Sequence, residues 1–381
     1  MSTYRVPFNR PVLMGNELRY MEQAVRRGAT SADGDFTVRC QKLLERHTGA
    51  SKVLLTTSCT HALEMCALLL ECGPGDEVIM PAFTFPSTAN AFVLRGATPV
   101  FVDIRADTLN LDEDLLEGAI TDRTKVIVPV HYGGVGCEMS RIMELAGRYG
   151  LGVVEDNAHG LYGSYRGKAL GTFGSLATLS FHETKNISCG EGGALMIHDP
   201  KLVDRAEVIR QKGTNRSRFF RGEVDRYTWV DVGSSYGLAD LLAAHLYAQL
   251  EAAETIQEHR QGVWEEYLAG LNEWAKGAGA TLPVVPPHCQ QAYHLFYLLL
   301  PSREARRALI EHLKAAGILA VFHYVPLHLG EFHESWAGRP MVRPCPVAKD
   351  VSERLLRLPF YNDLDAESQS YVIDCISEFK C

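Results

Sequence analysis

The sequence predicts an α/β protein: a large, mostly parallel sheet covered by helices, followed by a smaller α+β C-terminal domain. Two observations carry this expectation. Short β-rich runs alternate with segments of helical spacing over the first two hundred residues, the signature of strand–helix–strand units. Beyond about Leu238 the pattern changes to one long helical stretch and then a second, shorter set of strands and helices. The chain has 381 residues, enough for two domains of ordinary size or for one large unit with an appendage.

The strand candidates are KVLLTT (52–57), EVIMP (77–81), TPVFVD (98–103), KVIVPV (125–130), GLGVVED (150–156), LATLSF (176–181) and GALMI (193–197). Between them THALEMCALLLE, STANAFVLRG, EDLLEGAI and EMSRIMELAGRYG space their apolar residues as helices do. The stretch from Ala239 to Leu271 reads as one long helix, and the loop PVVPPH follows. A strand YHLFYLLLP, a helix REARRALIEHLKAAG, a strand LAVFHYVP and a last helix ESQSYVIDCISEF complete the chain. The expected division is therefore 1–240 for the large domain and 241–381 for the small one, joined by the long helix, with room for the N-terminal segment to pack on the small domain. No internal repeat or low-complexity tract interrupts the pattern.

Composition narrows the function. Hydrophobic residues make up 46% and charged residues 22%, and the formal charge is −8, which is the profile of a globular protein that does not bind nucleic acid. An acidic chain that binds an anion must gather positive charge locally. The ten cysteines contain no CxxC pair and share no zinc spacing with the histidines, so reduced thiols and no metal site are expected. The opening MSTYRVPFNRPVLMGNELRY lacks the apolar core of a secretory signal, and no run reaches the roughly 18 apolar residues of a membrane span. A cytoplasmic protein without a membrane partner is the expectation.

In an open parallel sheet, ligands sit beyond the carboxyl ends of the strands, and four stretches there have the right character. In TTSCTHALEM a strand ends in Thr57, Ser58, Cys59 and Thr60 just before a helix, where hydroxyls, free N–H groups and the helix dipole make a phosphate cradle; an ordinary helix cap explains the same residues. In VVEDNAHG the carboxylates Glu155 and Asp156 follow an apolar strand, and strand alternation lets only one of them face the site. FHETKNISCGEGG places Lys185 29 positions after Asp156, and a desolvated lysine becomes a competent amine nucleophile. In PAFTFPSTANAF, Phe83, Thr84 and Phe85 stand at another strand end, where an aromatic ring can cover a flat cofactor or simply pack. A phosphate cradle, an aromatic cover, a carboxylate and a nucleophilic lysine are together what pyridoxal 5'-phosphate requires.

The same stretches, with FVDI, PVHYGG and HYVPLH, resemble the sugar aminotransferases of the DegT/DnrJ/EryC1/StrS family over nearly the whole chain. That resemblance implies the pyridoxal-phosphate fold type I (aspartate aminotransferase-like) and a homodimer with active sites at the subunit interface. It implies Lys185 as the Schiff-base lysine and Asp156 as partner of the pyridine nitrogen, with His159 near the phenolic oxygen and Phe85 stacked on the ring. Ser58, Cys59, Thr60 and Ser180 would hold the phosphate, the last matching the family's SxxxxK pattern.

Three departures from the family accompany these matches. Cys59 stands where a glycine is common, Asn157 stands where a small alanine is usual, and Ser235 and Gly237 stand where a GxNxR-like loop of the neighbouring subunit is expected to meet the phosphate. Within the family the likeness runs to transaminases acting at C4 of TDP-4-oxo-6-deoxy-D-glucose in enterobacterial common antigen synthesis, with L-glutamate as donor and TDP-4-amino-4,6-dideoxy-D-galactose as product. A gluco-configured 4-amino product and a 3-amino sugar are the alternatives within the family.

For a nucleotide-sugar substrate, the basic segment RQKGTNRSRFFRGEVDR (210–226) offers Lys212 and Arg218 as diphosphate contacts, though solvated basic loops look the same. Thr84, His323 and Tyr324 are further substrate-facing candidates, against a structural role for the histidine. Three readings compete. A sugar dehydratase on this fold would replace the lysine with histidine, and a cofactor-keeping sensor would need neither Lys185 nor Asp156 to be intact. A nucleotide-binding protein would need a phosphate loop, yet YGSYRGKAL lacks its first glycine and carries Ala169 in place of Ser or Thr.

Overall fold

The computed structural model describes residues 4–332 and 341–380. Its strands are β1 (Lys52–Thr56), β2 (Glu77–Pro81), β3 (Thr98–Val102), β4 (Thr124–Ile127), β5 (Gly152–Asp156), β6 (Ser164–Tyr165), β7 (Lys168–Ala169), β8 (Leu176–Ser180), β9 (Gly193–Ile197), β10 (Cys289–Gln290), β11 (Tyr297–Leu299), β12 (Met341–Val342) and β13 (Leu355–Arg357). Eight of them form one sheet in the order β1-β9-β8-β5-β4-β2-β3-β12. The pairs from β12 through β8 are parallel, and only β9 runs against its neighbours β8 and β1.

The parallel core follows from apolar faces on both sides of each strand. In β2, Val78 and Met80 pack with the helices Cys59–Leu69 and Pro86–Val93. Ile79, between them, faces the helix Met139–Tyr149 on the other side. A third cluster joins Val53 and Leu55 of β1 to Phe36, Leu44 and Leu246. Because β9 is antiparallel to both β1 and β8, the strands β1, β5 and β8 finish on one edge, at Thr56, Asp156 and Ser180. The site is assembled there.

Beyond residue 238 the long helical stretch is broken at Ala252 into the helices Asp240–Glu251 and Ala253–Ala278. A separate core forms where Trp264, Tyr267 and Leu271 pack against Phe296, Leu298, Leu309, Val372 and Ile376. The run LAVFHYVP does not form the expected strand: it makes one bridge, Val321 to Arg357, because Tyr324 turns to a positive φ of 25° and Pro326 has no N–H to donate. The strand it meets, β13, instead pairs antiparallel with β11. Among the described residues the cysteines are all free, and no helix is long and apolar enough to cross a membrane.

Candidate active site

The two carboxylates at the end of β5 divide as alternation requires. Glu155 is fully buried and accepts N–H groups from Gly171 at 2.9 Å, Phe173 at 2.6 Å and Gly174 at 2.8 Å, while its Oε2 lies 3.0 Å from His131 Nε2. Burial pulls its pKa up, but His131 and these N–H groups outweigh that and hold it below the ordinary carboxylate value. Glu155 thus pins the loop after β7 to the sheet. Asp156 faces the opposite way: Thr88 Oγ1 donates to its Oδ2 at 2.8 Å and the Ala158 N–H to its Oδ1 at 3.2 Å. Burial pushes its pKa up, against these hydrogen bonds and the charge of Lys185. Thr88 is held in turn by Thr84, their hydroxyls 2.8 Å apart, so Thr84 acts one step behind the carboxylate.

Lys185 lies five residues past the end of β8, in a loop closed by its own N–H donating to His182 O at 2.9 Å. Its side chain is half-buried and its amine is lowered to about 8, chiefly by desolvation and further by Arg357, while Cys59 and Asp156 oppose the shift. No carboxylate forms an ion pair with it among the described residues. The next residue, Asn186, is buried; it donates through Nδ2 to Ala292 O at 2.6 Å, which leaves its Oδ1 to accept from His294 Nδ1 at 2.8 Å. The lysine is thereby tied to the C-terminal part of the chain.

A wall of aromatic and imidazole rings covers this edge. His159 stacks on His294 with centroids 4.1 Å apart and planes 24° apart; its Nδ1 lies 3.3 Å from the Gly133 N–H and its Nε2 3.5 Å from the Tyr324 hydroxyl. Desolvation first, then Lys185 and Arg357, hold its pKa well below the usual histidine value, so the ring is neutral at pH 7. Tyr324 packs edge-on against Phe83 and at 6.2 Å from Phe85, and the Tyr132 hydroxyl lies 2.8 Å from His323 Nδ1. Phe85 itself is 57% exposed, a ring presented at the start of the helix Pro86–Val93.

The cradle lies at the end of β1. Ser58 caps the helix Cys59–Leu69, its Oγ accepting the His61 N–H at 3.1 Å. As the first two helical residues, Cys59 and Thr60 have N–H groups without intrahelical partners. Thr60 shares a hydrogen bond of 2.7 Å with Ser87, and Cys59 Sγ sits 3.4 Å from Thr178 Oγ1. Burial raises the Cys59 thiol to about 12, so it stays neutral. Gly193 packs so closely here that a Cβ would fall 2.3 Å from Ser58 C and 2.4 Å from Cys59 N; Ser180 is its partner across β8 and β9.

The structure thus brings together Ser58, Cys59, Thr60, Phe85, Asp156, His159, Ser180, Lys185 and Tyr324, with Thr84 and His323 in direct support. Other candidates lie apart. Ser235 is exposed and bridges Gln211, and Gly237 bridges Thr56 in space that a Cβ would share with Ala32 at 2.7 Å. Lys212 is exposed at φ 63°, and Arg218 is held by Asp204 at 2.8 Å. Among the described residues, no hydrogen bond or ring contact joins Ser235, Lys212 or Arg218 to Lys185.

The Asn157 side chain donates through Nδ2 to Leu170 O at 3.0 Å, and its Oδ1 is buried with no partner among the described residues. Space for it is left by Gly160, whose Cβ would stand 2.1 Å from that oxygen. Sequence reasoning missed Thr88, Asn186, His294 and Arg357; His294 sits within the quoted run YHLFYLLLP, where a histidine in an apolar strand was the available signal.

This donor set fits pyridoxal phosphate. A desolvated amine lies within the field of a buried carboxylate, an exposed aromatic ring, Phe85, stands against Tyr324, and a helix start with open N–H groups and hydroxyls is built to take a phosphate. Fold and site together define a fold type I α/β enzyme of the aminotransferase kind. The comparisons agree: residues 12–377 match the DegT/DnrJ/EryC1/StrS aminotransferase family, and the chain belongs to that family.

It is 32% identical over 380 residues to the spore coat polysaccharide biosynthesis protein SpsC of Bacillus subtilis, covering 98% of this chain and 96% of that one. Among solved structures, DesV of S. venezuelae, in complex with a ketimine intermediate, is 32% identical with a TM-score of 0.88 over 99% of this chain and 98% of its own. Spr1654 from Streptococcus pneumoniae in its PMP-form is 28% identical with a TM-score of 0.89 over 98% of each chain.

Proposed function

We propose that this enzyme uses pyridoxal 5'-phosphate to move an amino group from L-glutamate to C4 of a nucleotide-linked 4-oxo-6-deoxy-hexose. The substrate is TDP-4-dehydro-6-deoxy-D-glucose and the product TDP-4-amino-4,6-dideoxy-D-galactose. The observation that carries the reading is the Lys185–Asp156 pair: an amine lowered to about 8 beside a buried carboxylate, at the carboxyl edge of the sheet. The PLP- and PMP-forms of the neighbouring Spr1654 support the cofactor, and the family supports amino transfer to a sugar.

When bound, pyridoxal phosphate supplies an aldehyde that takes up amines and a ring that accepts electron density from the substrate carbon. The chain does the rest. Cys59 and Thr60 N–H groups, with the Ser58, Thr60 and Ser180 hydroxyls, hold the phosphate. Asp156, oriented by Thr88 and Ala158, would keep a proton on the pyridine nitrogen, and Phe85 would cover the ring. Lys185 would serve as the base that takes the proton from the donor's Cα and as the acid that gives one to C4 of the sugar, a role its lowered pKa suits. His159, held neutral, offers a lone pair or a single N–H to the phenolic oxygen rather than a charge.

Residues 1–240 carry the cofactor in this reading, and residues 241–381 supply the covering edge. Lys212 and Arg218 meet the diphosphate, Arg218 by exchanging Asp204 for it, and a homodimer brings the second subunit's loop to the phosphate in place of the absent GxNxR pattern. Incubation with L-glutamate and then with the TDP-4-oxo sugar tests this. Loss and return of the cofactor's visible band, with an axial amino group in the product's proton NMR couplings, is expected; an equatorial amino group would overturn the galacto assignment, and an unbleached band would overturn the donor.

A further inference from the structure

Arg357 ends β13 on the side of the site. Its backbone pairs with Val321, N–H to O at 2.7 Å, and its Nη2 donates to Phe322 O at 3.0 Å. The guanidinium therefore runs along the segment that carries His323 and Tyr324. One of its faces is covered by the Phe8 ring, 4.7 Å away, and its Nε is buried without an acceptor among the described residues. No carboxylate pairs with it among the described residues. An orphaned N–H is not peculiar to Arg357, since Arg210 Nη2 is likewise buried without an acceptor among the described residues; but Arg210 has a counter-charge, Asp33 at 2.6 Å, and Arg260 reaches Tyr293 O, His294 O and Asn362 Oδ1 at 2.6–2.8 Å. A largely desolvated guanidinium lacking a counter-charge is costly unless an anion arrives. Its charge is felt at Lys185, His159 and His323, so that anion would sit at the reacting edge.

We propose that Arg357 is a carboxylate-binding residue that receives the amino donor through its open Nε–H and the neighbouring Nη. The inference rests on the transamination reading for the identity of that donor. A carboxylate suits this place better than a diphosphate: the planar fork matches two oxygens, the walls are the apolar rings of Phe8, Tyr132 and Tyr324, and the nearby histidines are neutral.

The experiment is a calorimetric titration of the purified holoenzyme with glutarate, which has two carboxylates and no amine. Arg357→Gln should weaken glutarate binding by about tenfold or more, and Arg357→Lys, which keeps the charge but loses the fork, should recover part of it. In the unsubstituted enzyme, glutarate should also protect Arg357 from phenylglyoxal, read by peptide mass, a measurement that needs no variant to fold. Half-reactions with L-glutamate, L-glutamine and 4-aminobutyrate then show which carboxylate is held: an effect of Arg357→Gln shared by glutamate and glutamine marks the α-carboxylate, and one confined to glutamate marks the distal one. Glutarate binding within twofold of the original in Arg357→Gln overturns the proposal, as does weakened TDP binding with glutarate unaffected. If the original enzyme binds glutarate through Arg357 yet transfers no amino group, the subsite stands and the reaction assignment falls.

Discussion

The positive charges at the carboxyl edge of the sheet and those of the 210–226 segment live under opposite conditions. Lys185 is desolvated and has no salt-bridge partner among the described residues, and its pKa has fallen to about 8. Arg218 and Arg221 are exposed, and each is paired to acids close by in sequence: Asp204 for the first, Glu207 and Glu223 for the second. Counted along the sequence, the second region is the more basic. Weighed by solvation it is the weaker, because exposed pairs contribute about 0–1 kcal/mol and screen readily, whereas drawing an amine partly out of water with no carboxylate paired to it among the described residues is costly. The contrast teaches that electrostatic strain, not charge density, marks the chemical centre.

Substitutions can break or sharpen that contrast. The largest effect belongs to Lys185→Ala, which should lower the glutamate half-reaction by roughly 10³-fold or more in single-turnover absorbance; a rate within tenfold of the original would sink the assignment of the base. On the other face of β5, Glu155→Ala removes the acceptor of three N–H groups and of His131. It should cost about 3 kcal/mol or more of stability, read as a lower denaturant midpoint. Asp156→Asn keeps the shape but not the charge, and should slow the half-reaction by about 10²-fold while leaving the melting temperature nearly unchanged. Reversing the charge of both Lys212 and Arg218 should raise KM for the sugar nucleotide by only about three- to tenfold with kcat unaltered, in keeping with a steering role; an unchanged KM removes the diphosphate clamp.

Much of this was legible in the sequence because the signals were local. EVIMP and GALMI coincide with β2 and β9, and the strand-end positions of Asp156 and Ser180 follow from apolar runs that stop at polar residues. Strand alternation lets only one of Glu155 and Asp156 face the site, and the two do face apart; that Glu155 pins a loop 16 to 19 residues further on is a tertiary pairing that no local pattern announces.

What escaped is what depends on distant pairing. The break at Ala252 carries no proline or glycine, β12 joins the large sheet from the C-terminal part of the chain, and His294 and Arg357 reach the site only through the β11–β13 pair and its bridge to Val321. No periodicity places an arginine in the field of a lysine 172 positions away.

The central claim is that Lys185 is the desolvated amine that captures the cofactor. Cofactor-free protein incubated with pyridoxal phosphate over a range of pH, reduced with borohydride and digested, tests it by peptide mass. Because only the unprotonated amine reacts, the account predicts a pyridoxyl mark on Lys185 whose initial rate of formation rises through a midpoint at about 8 and then levels off. A mark spread over the exposed lysines, or one on Lys185 that keeps rising to the ordinary lysine pKa of about 10.4, would contradict it.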